Sequence, residues 1–370
     1  MLEVADVVRV AGPAYREAFA SRMLPSHLRA LHDIETCRTA ARGGHLRRCD
    51  HCKEKLYSYH SCRNRSCPKC HGDQTRRWLE AQRDRLLPCP YFLGTFTLPQ
   101  QLRPLARSHQ RVVYGALLRS AAEALLTLAA DPDHLGARPG LLGVLHTWTQ
   151  AMLYHPHAHF LITGGGFSSD GTMWITPRHP NFLFPGYVLA VLFRAKMRDA
   201  FRRAGLLRHV PPDVWKQDWV VHVQHAGSGE KVLDYLARYV FRIAINNSRL
   251  ERFENGQVTF RYRDRRAGRT RYCSLSGEQF LARFLQHVLP QGFAKVRHSG
   301  LYSPTCRHQL SRARAVLEAT RIQEPTQTVP QPVPRVDSPD AVSNDTGRCP
   351  FCHVGRMHVI ATLARPRPPP

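Results

Sequence analysis

Residues 154–166 read YHPHAHFLITGGG, and three of the first six are histidines spaced two apart. Side chains two apart in a β-strand share a face, so His157 and His159 project together while Ala158 turns to the opposite, packed side. Two convergent imidazoles are half of a metal site. The competing reading is the polar face of a hairpin whose histidines bind nothing, and spacing alone does not separate the two. The apolar run and the three glycines that follow fit a buried strand with a tight exit. No Walker pattern comes after them, so they are not read as a phosphate loop.

Working outward, YFLGTFTLP at 91–99 and GLLGVLHTWTQ at 140–150 read as strands, and the second is placed to pair with the histidine strand. A register pairing His146 with His159 would add a third imidazole, with His155 and Asp234 as other choices. TMWIT at 172–176 and DWVVHVQH at 218–225 are further strand candidates. Residues 104–130 have helical character and break at Asp131-Pro132, and 185–206 fit an amphipathic helix ending near Gly205. The segment EKVLDYLARYVFRIAI, from 230, reads as helix, as does GEQFLARFLQHVL up to Pro290. Between these two helices lies a hairpin meander in which Asn255-Gly256 is the turn signal. Residues 1–30 form a helical lead-in.

The chain has 370 residues, with 53 Lys and Arg against 28 Asp and Glu, for a net charge of +25. That excess favours a polyanionic partner, because cations that neutralise phosphates release counterions. There is no run of about 18 apolar residues and no signal-peptide pattern at the N-terminus, which reads as a soluble, intracellular chain without a membrane partner. In a reducing compartment, clustered cysteines point to metal rather than to disulfides.

The stretch CDHCKEKLYSYHSCRNRSCPKC at 49–70 holds Cys49-x2-Cys52 and Cys67-x2-Cys70 with 14 residues between the pairs. Two such knuckles close a structural zinc site. Cys37, His60, Cys62 and His71 remain nearby as ligands for a second. Between the knuckles Lys53, Lys55, Arg63, Arg65 and Lys69 alternate with Tyr57 and Tyr59, a pattern suited to phosphates and stacked bases or simply to a solvated face. A later knuckle, Cys349-x2-Cys352, has only two local cysteines, with Cys306, His353 or His358 to complete it. It follows a Pro-, Ser- and Gln-rich linker at 324–346 and precedes a Pro-rich tail. The meander supplies Arg261, Arg263, Arg265, Arg266, Arg269 and Arg271 with Phe260, Tyr262 and Tyr272; alternation places arginines on one face and aromatics on the other.

In DYLARYVFRIAINNSRL, Tyr235 and Tyr239 lie one helical turn apart on one face, with Arg238 and Arg242 beside them. Alone, such a pair is more often core packing than chemistry. Together, CDHC…YSYHSCRNRSCPKC, FTLP, YHPHAHFLITGGG and YLARYVFRIAINNSRL, in that order, resemble the rolling-circle insertion-sequence transposases of the HUH group with two tyrosines. The resemblance runs from about 35 to 305.

What the resemblance implies is an α+β protein: an antiparallel-sheet HUH nuclease domain flanked by helices, preceded by a small zinc ribbon. The divisions expected are a lead-in at 1–34, a zinc-binding DNA-binding domain at 35–80 and the HUH domain at 90–305. A basic segment and linker follow at 306–345, then the knuckle and tail at 346–370. His157 and His159 match the metal pair, with Mg²⁺ or Mn²⁺ as the ion; Tyr235 and Tyr239 match the nucleophiles, which attack single-stranded DNA to give a 5′-phosphotyrosine. Ala158 departs from the bulkier residue usual between the histidines. The expected setting is the bacterial cytoplasm, at the nucleoid. A plasmid relaxase or replication initiator shares the chemistry, and a catalytically silent zinc-dependent DNA-binding protein shares the ribbon.

Overall fold

The computed structural model describes residues 2–70, 78–228, 233, 244–264, 267–323 and 347–366. The chain forms two units, and each is built from segments distant in sequence.

One unit comprises Met1–Gln74, Ile245–Val288 and Gln327–Pro370. Helix α1 (Val4–Phe19) starts with a capping box between Glu3 and Asp6 and buries Val4, Val7 and Val8. Helix α2 (Pro25–Thr36) begins on a proline, whose missing N–H is no loss in a first turn. Strands β1 (Gly44–Cys49) and β2 (Lys55–Tyr59) pair antiparallel. On the other edge of β1 lies β13 (Met357–Leu363), with Leu46 opposite Ala361. The meander forms a second sheet from β9 (Leu250–Glu254), β10 (Gln257–Asp264) and β11 (Arg269–Ser276). Asn255 and Gly256 turn it with φ of 50° and 72°, the left-handed pair that a two-residue turn requires. Helix α6 (Gly277–Leu285) is capped by Ser276, which accepts from the Gln279 N–H while the Gln279 side chain accepts from the Ser276 N–H. It packs against α1 so closely that a Cβ on Gly277 would lie 2.6 Å from that of Ala11.

The expected span of 90–305 is therefore divided. The meander and α6 join the N-terminal unit because the apolar stripe of α6, with Phe280, Leu281 and Phe284, is covered by α1. The C-terminal knuckle is not separate either, since β13 completes the sheet of β1 and β2. The linker at 324–346 and the segment with Tyr235 and Tyr239 lie outside the described residues.

The other unit comprises Thr75–Ala244 and Leu289–Thr326. Its sheet contains β3 (Pro90–Thr97), β4 (Gly140–Trp148), β5 (Tyr154–Thr163), β8 (Val221–Ser228) and β12 (Val296–Gly300). The order is β12-β4-β5-β3-β8, antiparallel at every junction. A short pair, β6 (Gly166–Phe167) and β7 (Trp174–Ile175), follows the histidine strand. Helices α3 (Arg103–Ser108), α4 (Gln110–Ala130) and α5 (Gly186–Arg203) pack on one face, where Phe96, Ala158, Phe160 and Ile162 meet Leu117, Leu125 and Phe193. On the opposite face Tyr91, Leu93, Val144 and Leu161 join a second core with Leu310 and Ala313 of α7 (Arg307–Gln323). Helix α4 is long and apolar enough to cross a membrane by composition, but its length is largely buried against the sheet and α5. This is an α+β arrangement of antiparallel sheets and helices.

Phe160 organises the central strands. Gly94 on β3 and Gly143 on β4 both stand opposite it, and a Cβ on Gly143 would fall 2.6 Å from the Phe160 ring. Two glycines thus make room for one fully buried ring. We expect Phe160→Ala to lower stability by about 3–5 kcal/mol, read from urea unfolding; a loss below about 1 kcal/mol would mean that the ring does not organise this sheet.

Candidate metal centres

The histidines of β5 alternate as the sequence suggests: His155, His157 and His159 share one face, and Ala158 and Phe160 enter the core on the other. His146 of β4 stands opposite His157 rather than His159, whose β4 partner is Val144. The outcome is still a triad. The His146, His157 and His159 rings lie 4.9–5.3 Å apart by centroid, and one nitrogen from each falls within 4.8 Å of the others. Between His146 and Trp148 the register slips, so that two residues of β4 span three of β5. Pro156, which has no N–H for a ladder, occupies this bulge.

Local hydrogen bonds fix the rings. His157 Nδ1 is 2.7 Å from the carbonyl oxygen of His155, which can only accept, so Nδ1 carries the proton and Nε2 carries the lone pair. His159 Nδ1 is 3.0 Å from Thr95 Oγ1, on the neighbouring strand position. His146 is buried and stacks on Trp148 at 5.1 Å, and Lys295 Nζ lies 4.9 Å above that indole. The His155 ring lies 5.2 Å from that of His157, but it is not one of the converging three: Arg103 donates to its Nδ1 at 2.7 Å, and burial, then Arg103, pushes its pKa down. Three imidazoles converging from two strands fit a divalent transition-type ion with open positions. Asp234, the remaining third-ligand choice, lies outside the described residues.

The cysteines group differently from their sequence pairing. Cys49 and Cys52 come together with Cys349 and Cys352, whereas Cys67 and Cys70 come together with Cys37 and Cys62. The reason is the β1–β2 hairpin: one knuckle sits in its turn, and the other follows the far end of β2, five residues or roughly 16 Å away. His60 is in neither quartet and packs edge-on against His45; Cys306 and His353 are not needed, and His358 pairs with Asp50 at 3.2 Å. His71 lies outside the described residues.

Both quartets fit zinc. A tetrahedron with 2.3 Å Zn–S bonds has edges of about 3.8 Å. Cys37–Cys70 and Cys62–Cys70 are 3.5 and 3.6 Å apart, and Cys52–Cys349 and Cys49–Cys352 are 3.5 and 3.8 Å apart. Backbone N–H groups also point at sulfur, from Asn64 to Cys62, Phe351 to Cys349 and Gly355 to Cys352. In the first quartet Cys37, Cys62 and Cys67 hold the Cys70 thiol far below its usual range, while the same crowding drives Cys67 far above it. Four thiols this close share negative charge poorly until a dication neutralises it. In the second, hydrogen bonds from the Gly355 and Val354 N–H groups hold Cys352 down at about 5.

The basic residues are spread over several surfaces. Arg63 and Arg65 are exposed in the loop between Cys62 and Cys67, and Tyr57, 57% exposed, stacks beside Tyr59 at 6.1 Å. In the meander Arg261 and Arg263 share a face with Tyr272, because Arg261 stands opposite Tyr272 and Tyr262 opposite Arg271. Arginines and aromatics therefore mix on both faces, a correction to the alternation read along one strand. Phe260 is buried but Tyr272 is 65% exposed. Arg261 pairs with Glu251 and Arg271 with Asp264, leaving exposed Arg263 and Arg269 on the same hairpin. Arg238 and Arg242 lie outside the described residues.

A histidine triad on an antiparallel sheet, two thiol quartets and a charge of +25 together describe a strongly basic protein with a cysteine-rich module and three side-chain clusters of metal-ligand type. The Y2_Tnp family, described as "Putative transposase", matches residues 140–309, and the "Transposase zinc-binding domain" of the IS91 type matches residues 7–98. The chain is 40% identical over 97% of its length, and 94% of the relative's, to "Putative transposase y4qJ" of Sinorhizobium fredii (strain NBRC 101917 / NGR234). It is 29% identical over 84% of its length, and 77% of the relative's, to the "Transposase for insertion sequence element IS801" of Pseudomonas savastanoi pv. phaseolicola. No solved structure matches the chain. The chain belongs to the Y2_Tnp family and is a transposase of the IS91/IS801 type.

Thr95 was not legible as a functional residue, although its place on the strand beside the histidines is visible once the register is known. We expect Thr95→Val to weaken Mn²⁺ binding about 10-fold, as loss of an outer hydrogen bond to a ligand does, and His157→Ala to abolish it. Calorimetric titration of the purified protein measures both; unchanged Mn²⁺ affinity in His157→Ala would return these imidazoles to a structural role.

Proposed function

We propose that this transposase cleaves and rejoins single-stranded DNA at the ends of an insertion sequence, in rolling-circle transposition. The nucleophiles are Tyr235 and Tyr239, and His146, His157 and His159 hold a divalent ion, Mg²⁺ or Mn²⁺. The observation that carries this reading is the convergence of the three imidazoles in a chain of this transposase family. The assignment of the tyrosines rests on the sequence motif. When bound, the ion supplies Lewis-acid polarisation of a phosphate oxygen.

The chain's own residues supply the rest. The phenol, with an ordinary pKa near 10, loses its proton as its oxygen bonds to phosphorus and the P–O3′ bond breaks. The 3′ oxygen takes up a proton, leaving a 5′-phosphotyrosine and a free 3′-OH. One phosphate ester replaces another of similar energy, so rejoining needs no ATP. That reversibility suits strand transfer better than degradation, and a second tyrosine four positions along the sequence allows two DNA ends to be handled in succession. The exposed Arg63, Arg65, Arg263 and Arg269 are the cations assigned to the DNA backbone in this reading. The reaction takes place in the cytoplasm, at the nucleoid.

Purified protein mixed with Mn²⁺ and a single-stranded oligonucleotide bearing the element's origin end should give an SDS-resistant adduct that maps to Tyr235 or Tyr239. Replacing both tyrosines by Phe, or adding chelator, should reduce the adduct to background. Tight binding of that oligonucleotide with no covalent product would leave a DNA-binding protein without this chemistry.

A further inference from the structure

The thiol quartet of Cys49, Cys52, Cys349 and Cys352 draws its two halves from opposite ends of the chain. Its C-terminal half arrives with β13, which adds to the free edge of β1 through the register Gly44–Leu363 to Cys49–Met357. Very little apolar surface holds that strand in place. Val359 and Ile360 are 52% and 44% exposed, and the residues around them are exposed as well. Ordering a segment is entropically unfavourable, and a strand that buries so few side chains has little to offset it.

Beyond the strand ladder, several polar contacts join the two knuckles. The Asp50 N–H donates to the Arg356 carbonyl at 3.0 Å, the Arg356 N–H donates to the Asp50 carboxylate at 2.7 Å, and the Cys349 N–H donates to the Gly355 carbonyl at 2.7 Å. Gly355 allows the two turns to touch: a Cβ there would lie 2.5 Å from Cys49 Sγ and 2.6 Å from Asp50 Oδ1. The contact is shaped so that the four sulfurs meet.

We propose that these four cysteines form a second structural zinc site that acts as a clasp, with the metal holding the C-terminal segment at 347–366 on the N-terminal hairpin. The site is distinct from the quartet of Cys37, Cys62, Cys67 and Cys70, which is built entirely from the N-terminal stretch. Loss of the clasp metal frees the tail and uncovers the edge of β1, while the other quartet keeps its ion. The reading concerns the cysteine-rich unit alone and is independent of the strand-cleavage chemistry.

The test uses the full chain with a site-specific protease sequence inserted within residues 324–346. With His157→Ala in every version, so that the histidine triad holds no ion, elemental analysis should find two zinc ions per chain, and after cutting, the C-terminal fragment should co-elute with the remainder on size exclusion. The variant with Cys349→Ser and Cys352→Ser should hold one zinc, retained by the other quartet as a check on folding, and its cut fragment should elute alone. Gly355→Ala keeps all the thiols and should release the fragment at a lower chelator concentration than the parent chain. A parent chain holding one zinc would overturn the second site. A fragment that stays bound after its zinc has been removed would overturn the clasp.

Discussion

The register of β5 between β4 and β3 is the constraint on which the rest of the sheet unit depends. With a side-chain period of two, sliding this strand by one residue would send the imidazoles into the core and turn Phe160 outward. Two features oppose that slip. On the core face Phe160 is seated between Gly94 and Gly143, positions where any other register would set a larger side chain against a ring. At the strand's entry Pro156 sits in the bulge, the place in the ladder where its missing N–H does least harm. Apolar packing on one face therefore determines the geometry of the polar groups on the other, and His146, His157 and His159 converge as a result.

The cysteine-rich unit follows a different logic. The sheet of β1, β2 and β13 exposes much of both surfaces, so these three strands bury little of the kind of core that supports the histidines. Thiol quartets supply the cross-links that apolar burial cannot. The hairpin of β1 and β2 works as a spacer that keeps the two quartets at opposite ends. Tyr57 of β2 is exposed, as are Arg63 and Arg65 in the loop between Cys62 and Cys67, and a strongly positive chain has use for open surface where a polyanion is to be held.

What was legible in the sequence was local. Alternation along 154–159 gave the facing of the histidines, Asn255-Gly256 gave a turn, and GEQFLARFLQHVL gave a helix. The C-x2-C spacing identified knuckles, because a knuckle is a single turn of chain. Which knuckles meet was not legible, since that depends on a hairpin intervening between neighbours and on a strand returning from far away. The partner of His146 is His157 rather than His159, because cross-strand register is a property of two strands together that neither strand's own pattern contains. The mixed faces of the arginine-rich meander arise from cross-strand pairing, which a single strand's pattern does not contain.

The division of one small sheet between the two ends of the chain has a consequence for synthesis. Cys52 and Cys349 are separated by 297 positions. At about 5–20 residues per second, β1 leaves the ribosome about 15–60 s before β13 exists to cover its edge. During that interval the hairpin has two thiols without their counterparts and one unpaired strand edge, a state open to stray metals and foreign strands. A message cut short anywhere before the final knuckle yields a chain whose N-terminal module never closes, whatever the condition of the sheet that carries the histidines.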